Sequence, residues 1–254
     1  MSTREAPETV LQTIPDWQDA TLQKLPGGLT NCAWLVESRG RQAVLKIDAS
    51  PRVAPFGSRE DEARVQSNAA ANGLAGTVLF VNDTVYLSEY VDGEVWSADS
   101  LADDANLERL ARSLRKLHSL PLTGRTFDAR AAARGYAARI DSADAARARD
   151  CLRLIESMPR LQQLCCCHND LVAENIIATP GIRFLDWEYA CDNDPFFDLA
   201  TIVAHHRLSE ARARYLLDAY FDGDGRRWQE RLDAMAHFYD ALLWLWLQAR
   251  SPGD

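Results

Sequence analysis

Three oxygen-bearing side chains set into two apolar runs constrain this chain more than any other feature. Residues 165–177 read Cys-Cys-Cys-His-Asn-Asp-Leu-Val-Ala-Glu-Asn-Ile-Ile, and residues 184–189 read Phe-Leu-Asp-Trp-Glu-Tyr. Asp170, Asn175 and, eleven positions later, Asp186 interrupt segments that would otherwise make buried strands. A carboxylate withdrawn from water is costly unless it is hydrogen-bonded, paired or bound to a cation, so the cluster asks for a metal. An Asp followed five residues on by Asn, and then by a second Asp, has the spacing of the phosphoryl-transfer template. There the first Asp receives the proton of a substrate hydroxyl, while the Asn and the later Asp hold magnesium.

The rest of the composition narrows the setting. With 254 residues the chain can bury a substantial core, and one functional unit of two lobes fits better than several independent domains. A formal charge of −9, with no stripe of Lys and Arg, speaks against a nucleic-acid partner. The first residues lack the apolar core of a signal peptide, and the longest apolar run, residues 241–247, is too short to cross a bilayer, so a cytoplasmic protein without membrane insertion is expected. Six cysteines do not read as a disulfide framework, because three are consecutive. Cys165, Cys166 and Cys167 point alternately along a strand and do not readily converge with His168 on one zinc; small buried strand residues are expected, with a redox or metal role as the alternative.

The N-terminal part alternates in strand fashion. After an amphipathic start carrying Val10, Leu11, Ile14 and Trp17, residues 22–25 lead through Pro26, Gly27, Gly28, Leu29, Thr30 and Asn31 into strands over 32–36 and 43–47. Alternation puts Lys46 on the face of Val44, opposite Leu45 and Ile47. It is either a snorkelling surface lysine or one aimed at nucleotide phosphates. Gly27-Gly28 is either a hairpin turn or a loop whose N–H groups approach phosphate, with Thr30 and Asn31 adding polar groups; it does not match G-x-G-x-x-G. Residues 58–72 form a helix opened by a Ser58-x-x-Asp61 capping pattern and stopped by Gly73. Glu62, in its first turns, is either solvated or the ion-pair partner that orients Lys46. A hairpin over 77–91 completes a five-stranded antiparallel sheet. Residues 88–93 then break the pattern, as a plain connection or as a hinge whose backbone groups meet an adenine edge.

Beyond residue 92 the chain reads mostly as helix. Leu107, Leu110, Leu114 and Leu117 make a buried stripe, with His118 beside it as a structural residue. Residues 129–153, rich in Ala and Arg, suggest one or two surface helices. Helices are expected from Leu199, over 209–221 and over 228–249. The whole is an α+β, protein-kinase-like two-lobed fold: a small N-lobe over 1–91 with one helix, and a larger, mostly helical C-lobe over 92–254.

The run His168 to Ile177 with Leu185-Asp186-Trp187-Glu188-Tyr189-Ala190, and Gly27-Gly28-Leu29-Thr30-Asn31 upstream, resembles the choline and ethanolamine kinase branch of the aminoglycoside phosphotransferase superfamily, from about Leu25 onward. The resemblance implies that Asp170 is the base, and that Asn175 and Asp186 bind the Mg2+ bridging the ATP phosphates, with Glu188 a further acid at metal or substrate. It implies that Lys46 touches the α- and β-phosphates, held by Glu62, and that Gly27, Gly28, Thr30 and Asn31 belong to the nucleotide loop. Glu89, Tyr90 and Val91 would contact adenine, His168 would brace the catalytic loop, and Asp198 would anchor its N–H groups.

The acceptor implied is a small hydroxylated cation. A quaternary ammonium is bound by aromatic faces and nearby acids, and the resemblance assigns Tyr189, Asp192 and the terminal aromatic helix with Trp244 and Trp246 to that pocket. The two tryptophans stand two apart and cannot share one helical face, so one would line the pocket while the other packs in the core, or both would be core. Choline or ethanolamine is favoured, with thiamine, an aminoglycoside or a sugar as alternatives, and a nucleotide-binding module without transfer as a third reading.

Overall fold

The structure, a computed structural model, describes residues 5–25, 32–49, 57–159 and 163–250. The chain divides into two compact units: residues 1–95 with 176–190, and residues 96–175 with 191–254. Where the sequence places a single cut at 91/92, the structure returns the hairpin after Asn175 to the first unit.

In that first unit helix α1 (Pro7–Gln12) precedes strands β1 (Thr21–Lys24), β2 (Cys32–Ser38) and β3 (Arg41–Ile47), helix α2 (Arg59–Ala71), and strands β4 (Val78–Val81), β5 (Val85–Glu89) and β6 (Glu94–Val95). The five-stranded sheet is antiparallel in the order β1-β2-β3-β5-β4. Alternation along β3 buries Ala43, Leu45 and Ile47, which pack with Val36, Val85 and Leu87 against the amphipathic start, Val10, Leu11, Ile14 and Trp17. Lys46 falls on the opposite face, in register with Ala33 and Tyr86. Helix α2 starts as its sequence dictates. Ser58 accepts from the Asp61 N–H while Asp61 accepts from the Ser58 N–H, so two N–H groups at the helix start are satisfied reciprocally.

The second unit opens with α3 (Asp104–His118), whose stripe Leu107, Leu110, Leu114 and Leu117 is fully buried. Residues 129–157 supply α4 (Ala129–Ala137) and α5 (Ala145–Ser157). These are more than surface helices: Ala133, Ala148 and Ile155 are buried and both helices pack on the last one. Strand β7 (Cys165–Cys167) follows, and the chain passes to the first unit for β8 (Ile176–Ala178) and β9 (Ile182–Phe184), which form a small sheet with β6. It returns as β10 (Cys191–Asn193), antiparallel to β7, then α6 (Pro195–His205), α7 (Glu210–Tyr220) and α8 (Gln229–Ala249). Helix α6 begins four residues before the expected Leu199, because Asp194 caps the Phe196 N–H and Pro195 at the first helical position is already shaped for a helix. Among the described residues no helix is long and apolar enough to cross a membrane.

Candidate active site

In the first unit the site is built on β3 and on the segment after β9. Lys46 Nζ lies 2.9 Å from Asp186 Oδ1, across 140 residues of sequence. Asp186 has φ 61°, the left-handed region that Asp tolerates better than most residues, and it opens a short 3₁₀ turn, Trp187–Tyr189. Trp187 pins that turn from below: its ring is buried and its Nε1–H donates to the Phe184 carbonyl at 3.0 Å. Burial works to lower the pKa of Lys46, but the combined attraction of Asp186, Glu62 and Glu188 outweighs it and holds the ammonium above its ordinary value. Lys46 therefore stays charged, and its ion pair is with Asp186. Glu62 acts on it from further off: its carboxylate accepts from Arg59 at 2.7 Å, and Arg59, fully buried, also forks onto Asp48 at 2.7 and 2.8 Å.

In the second unit β7 delivers the loop that follows it. Asn169 takes φ 66°, and the turn is fastened from beneath by Asp198, itself fully buried in α6. Its two oxygens accept from the N–H groups of His168 at 2.9 Å and Asn169 at 2.7 Å, and from His118 Nε2 at 3.0 Å. The Asn169 carboxamide is held by Asn193 at 2.7 Å. Asn175 then folds back so that its Nδ2 donates to both the carbonyl and the Oδ2 of Asp170, each at 2.9 Å. Asp170 is thus pre-oriented. With its nitrogen committed, the oxygen is the atom Asn175 offers a cation.

The remaining residues singled out in the sequence fare differently. Gly27, Gly28, Thr30 and Asn31 lie outside the described residues. At the expected hinge, Glu89 N–H donates to the Thr77 carbonyl at 2.8 Å and Tyr90 N–H to the Gln42 carbonyl at 3.1 Å, so two of the three N–H groups already serve the sheet. Asp192, expected at the substrate, spends its carboxylate on the Thr123 N–H and hydroxyl and the Gly124 N–H, at 2.6 to 2.9 Å, and is almost completely buried. It holds a turn. Tyr189 ends the 3₁₀ turn, half-buried. Trp244 and Trp246 are both half-buried, one covered by the Arg147 guanidinium and the other by that of Arg250, each 4.5 Å from the ring centre.

Sequence reasoning named Tyr239 only within the terminal aromatic run, without a role of its own, and passed over His205. The Tyr239 hydroxyl meets His205 Nε2 at 2.7 Å, and its ring packs edge-on against Phe197. Burial and then the charge of Asp170 raise its pKa, so the phenol stays protonated. Position 239 falls seven residues before Trp246, two turns along α8, and that shared face was the available signal. The strand cysteines differ too. Cys165 and Cys167 alternate around Cys166 as expected, but alternation brings their sulfurs to 3.5 Å from each other, on the side of His118 rather than His168.

With the fold and site in view, the comparisons define the class. The profile of the phosphotransferase enzyme family matches residues 21–242, and the chain belongs to that family. Protein LicA of Haemophilus influenzae is 31% identical over 207 residues, covering 76% of this chain; the chain spans 61% of that relative's length. Among solved structures, a choline/ethanolamine kinase family protein from Mesorhizobium loti superposes with a TM-score of 0.75 at 25% identity, covering 97% of this chain and 87% of its own. Choline kinase LicA from Streptococcus pneumoniae superposes with a TM-score of 0.77 at 21% identity over 95% of this chain and 89% of its own, which establishes the protein-kinase-like fold.

Proposed function

We propose that the chain is a cytoplasmic ATP-dependent kinase that transfers the γ-phosphoryl group to the hydroxyl of a small amino alcohol, choline or ethanolamine. One observation carries the reading: Asn175 grips Asp170 twice, through its carbonyl and its carboxylate, in a loop whose N–H groups end on Asp198. A rigidly held, partly exposed carboxylate is what a general base needs, since transfer of a nearly metaphosphate-like group depends on positioning and charge neutralisation.

The chemistry follows from the residues. Asp170 accepts the proton as the acceptor's O–H bond breaks and its oxygen bonds to the γ-phosphorus; the bond from that phosphorus to the β-phosphate oxygen breaks, and ADP leaves. Lys46, kept cationic by its acidic neighbours, holds the α- and β-phosphates. The donor set suits magnesium: Asp186 keeps 31% of its side chain exposed, and Asn175 presents an amide oxygen, both hard ligands. By the family's motif spacing these two residues would hold it, with Glu188 as a further acid. Magnesium, when bound, neutralises charge on the triphosphate oxygens. In the second unit Trp244 and Trp246, both half-buried and each with an arginine 4.5 Å from its ring centre, are the aromatic faces proposed for a cationic acceptor, whereas Tyr239 is buried.

The test is Asp170→Ala, which is expected to abolish transfer while ATP binding survives; retained turnover would sink the assignment. A panel of choline, ethanolamine, thiamine, an aminoglycoside and a sugar, scored by ADP formation, identifies the acceptor. ADP formation with none of them would favour the non-catalytic reading.

A further inference from the structure

One cluster of reactive groups plays no part in this chemistry. The ligand atoms of Cys165, Cys167 and His118 all lie within 4.8 Å of one another, in the second unit where β7 meets the end of α3. The sulfurs are 3.5 Å apart. Two thiolates on a tetrahedral zinc, at about 2.3 Å each, stand about 3.8 Å apart, so the pair is within a few tenths of an ångström of chelating geometry. Position along the strand explains this: residues two apart share a face, and both sulfurs point toward the Asn193 carbonyl.

The histidine is already prepared as a ligand. Its Nε2 faces the Asp198 carboxylate at 3.0 Å, so in the neutral imidazole a proton held there would leave Nδ1 as the ligand atom. A carboxylate behind a histidine, fixing the tautomer and raising its basicity, is the arrangement found behind metal-bound imidazoles. Nδ1 now meets the Tyr220 hydroxyl at 2.7 Å. That oxygen marks a fourth corner. The His118 side chain is 5% exposed, and Cys167 is fully buried, while Cys165 is half-buried and offers the way in.

We propose that Cys165, Cys167 and His118 form a site for a thiophilic divalent cation, Zn2+, with the Tyr220 hydroxyl or a water as fourth ligand. Two soft sulfurs and an imidazole select zinc over magnesium, which takes oxygen, so the site is chemically separate from the one assigned to the nucleotide. Binding exchanges two thiol protons, released to solvent, for two zinc–sulfur bonds. The ion would clamp β7 to α3, and through His118 it would lie one hydrogen bond from Asp198, the anchor of the Asp170 loop.

Cobalt replaces zinc and reports its ligands by absorption. Titrating the chelator-treated full-length protein with Co2+ is expected to give one equivalent bound tightly, with a thiolate-to-cobalt charge-transfer band and tetrahedral ligand-field bands, both removed by excess Zn2+. Cys165→Ser is expected to weaken the charge-transfer band and the Cys165→Ser, Cys167→Ser double variant to lose it, while Cys166→Ser and Cys151→Ser keep it in full. Should the double variant fail to fold, Zn2+ protection of Cys165 from alkylation in the wild-type protein, read by peptide mass, decides. No band in the wild type, a band undiminished in Cys165→Ser or surviving in the double variant, or alkylation of Cys165 unaffected by Zn2+ would overturn the site.

Discussion

Asp198→Asn changes one atom and isolates the device that holds the catalytic loop. Asp198 is fully buried and accepts three hydrogen bonds: Oδ2 from the His168 N–H and His118 Nε2, Oδ1 from the Asn169 N–H at 2.7 Å. An asparagine keeps the first two on its oxygen but turns an NH2 group toward the third donor. One charge-assisted bond is then lost and a buried donor left facing another, a cost of about 2–3 kcal/mol. For a chain of this size each kcal/mol shifts the melting temperature by about 2–4 °C, so a fall of about 4–12 °C is expected. Asp198→Ala, which orphans all three donors, is expected to cost about 3–5 kcal/mol, a large fraction of total stability. Activity should fall further than stability implies, because the freed N–H belongs to the residue before Asp170; a displacement of about 1 Å there costs about 100-fold in kcat. Calorimetry and steady-state kinetics on the same preparation separate the two effects. A melting temperature and kcat both indistinguishable from wild type would refute the reasoning.

Lys46→Met leaves Asp186, Glu62 and Glu188 without their shared cation, and loss of a charge-assisted phosphate contact should lower kcat/KM for ATP by about 10- to 100-fold; an unchanged value would remove Lys46 from the phosphate site. Gly93→Ala puts a Cβ 2.4 Å from the Ala178 carbonyl oxygen and 2.6 Å from Ile177 Cγ2, where β6 meets β8, so a loss of about 1–3 kcal/mol is expected in urea unfolding. His206, buried edge-on to Trp96, has its pKa lowered to about 4 by burial, with His205 adding to the effect and the Leu171 carbonyl and Glu174 opposing it. Its folded value lies below the unfolded one of about 6.5, so the unfolded chain binds the extra proton, and stability should drop by up to about 3 kcal/mol as pH falls from 6.5 to 4. That slope should flatten in His206→Gln, as melting temperatures across the range would reveal.

Local structure was legible because its causes are local. The Ser58 and Asp61 pair announces the start of α2, the leucine stripe announces α3, and the alternation of β3 sets Lys46 apart from Leu45 and Ile47. The spacing of Asp170 and Asn175 likewise made their contact legible, since a loop this short leaves few ways to place the amide other than against the carboxylate five residues before it. Partner choice was not legible, because it depends on which side chains the closed chain brings within 3 Å. Only tertiary structure gave Lys46 to Asp186 and Glu62 to Arg59, turned Asp192 inward onto Thr123, and covered both tryptophans of α8 with arginines. It also set Cys165 and Cys167 beside His118: strand periodicity put two sulfurs on one face, but packing of α3 decided which histidine met them.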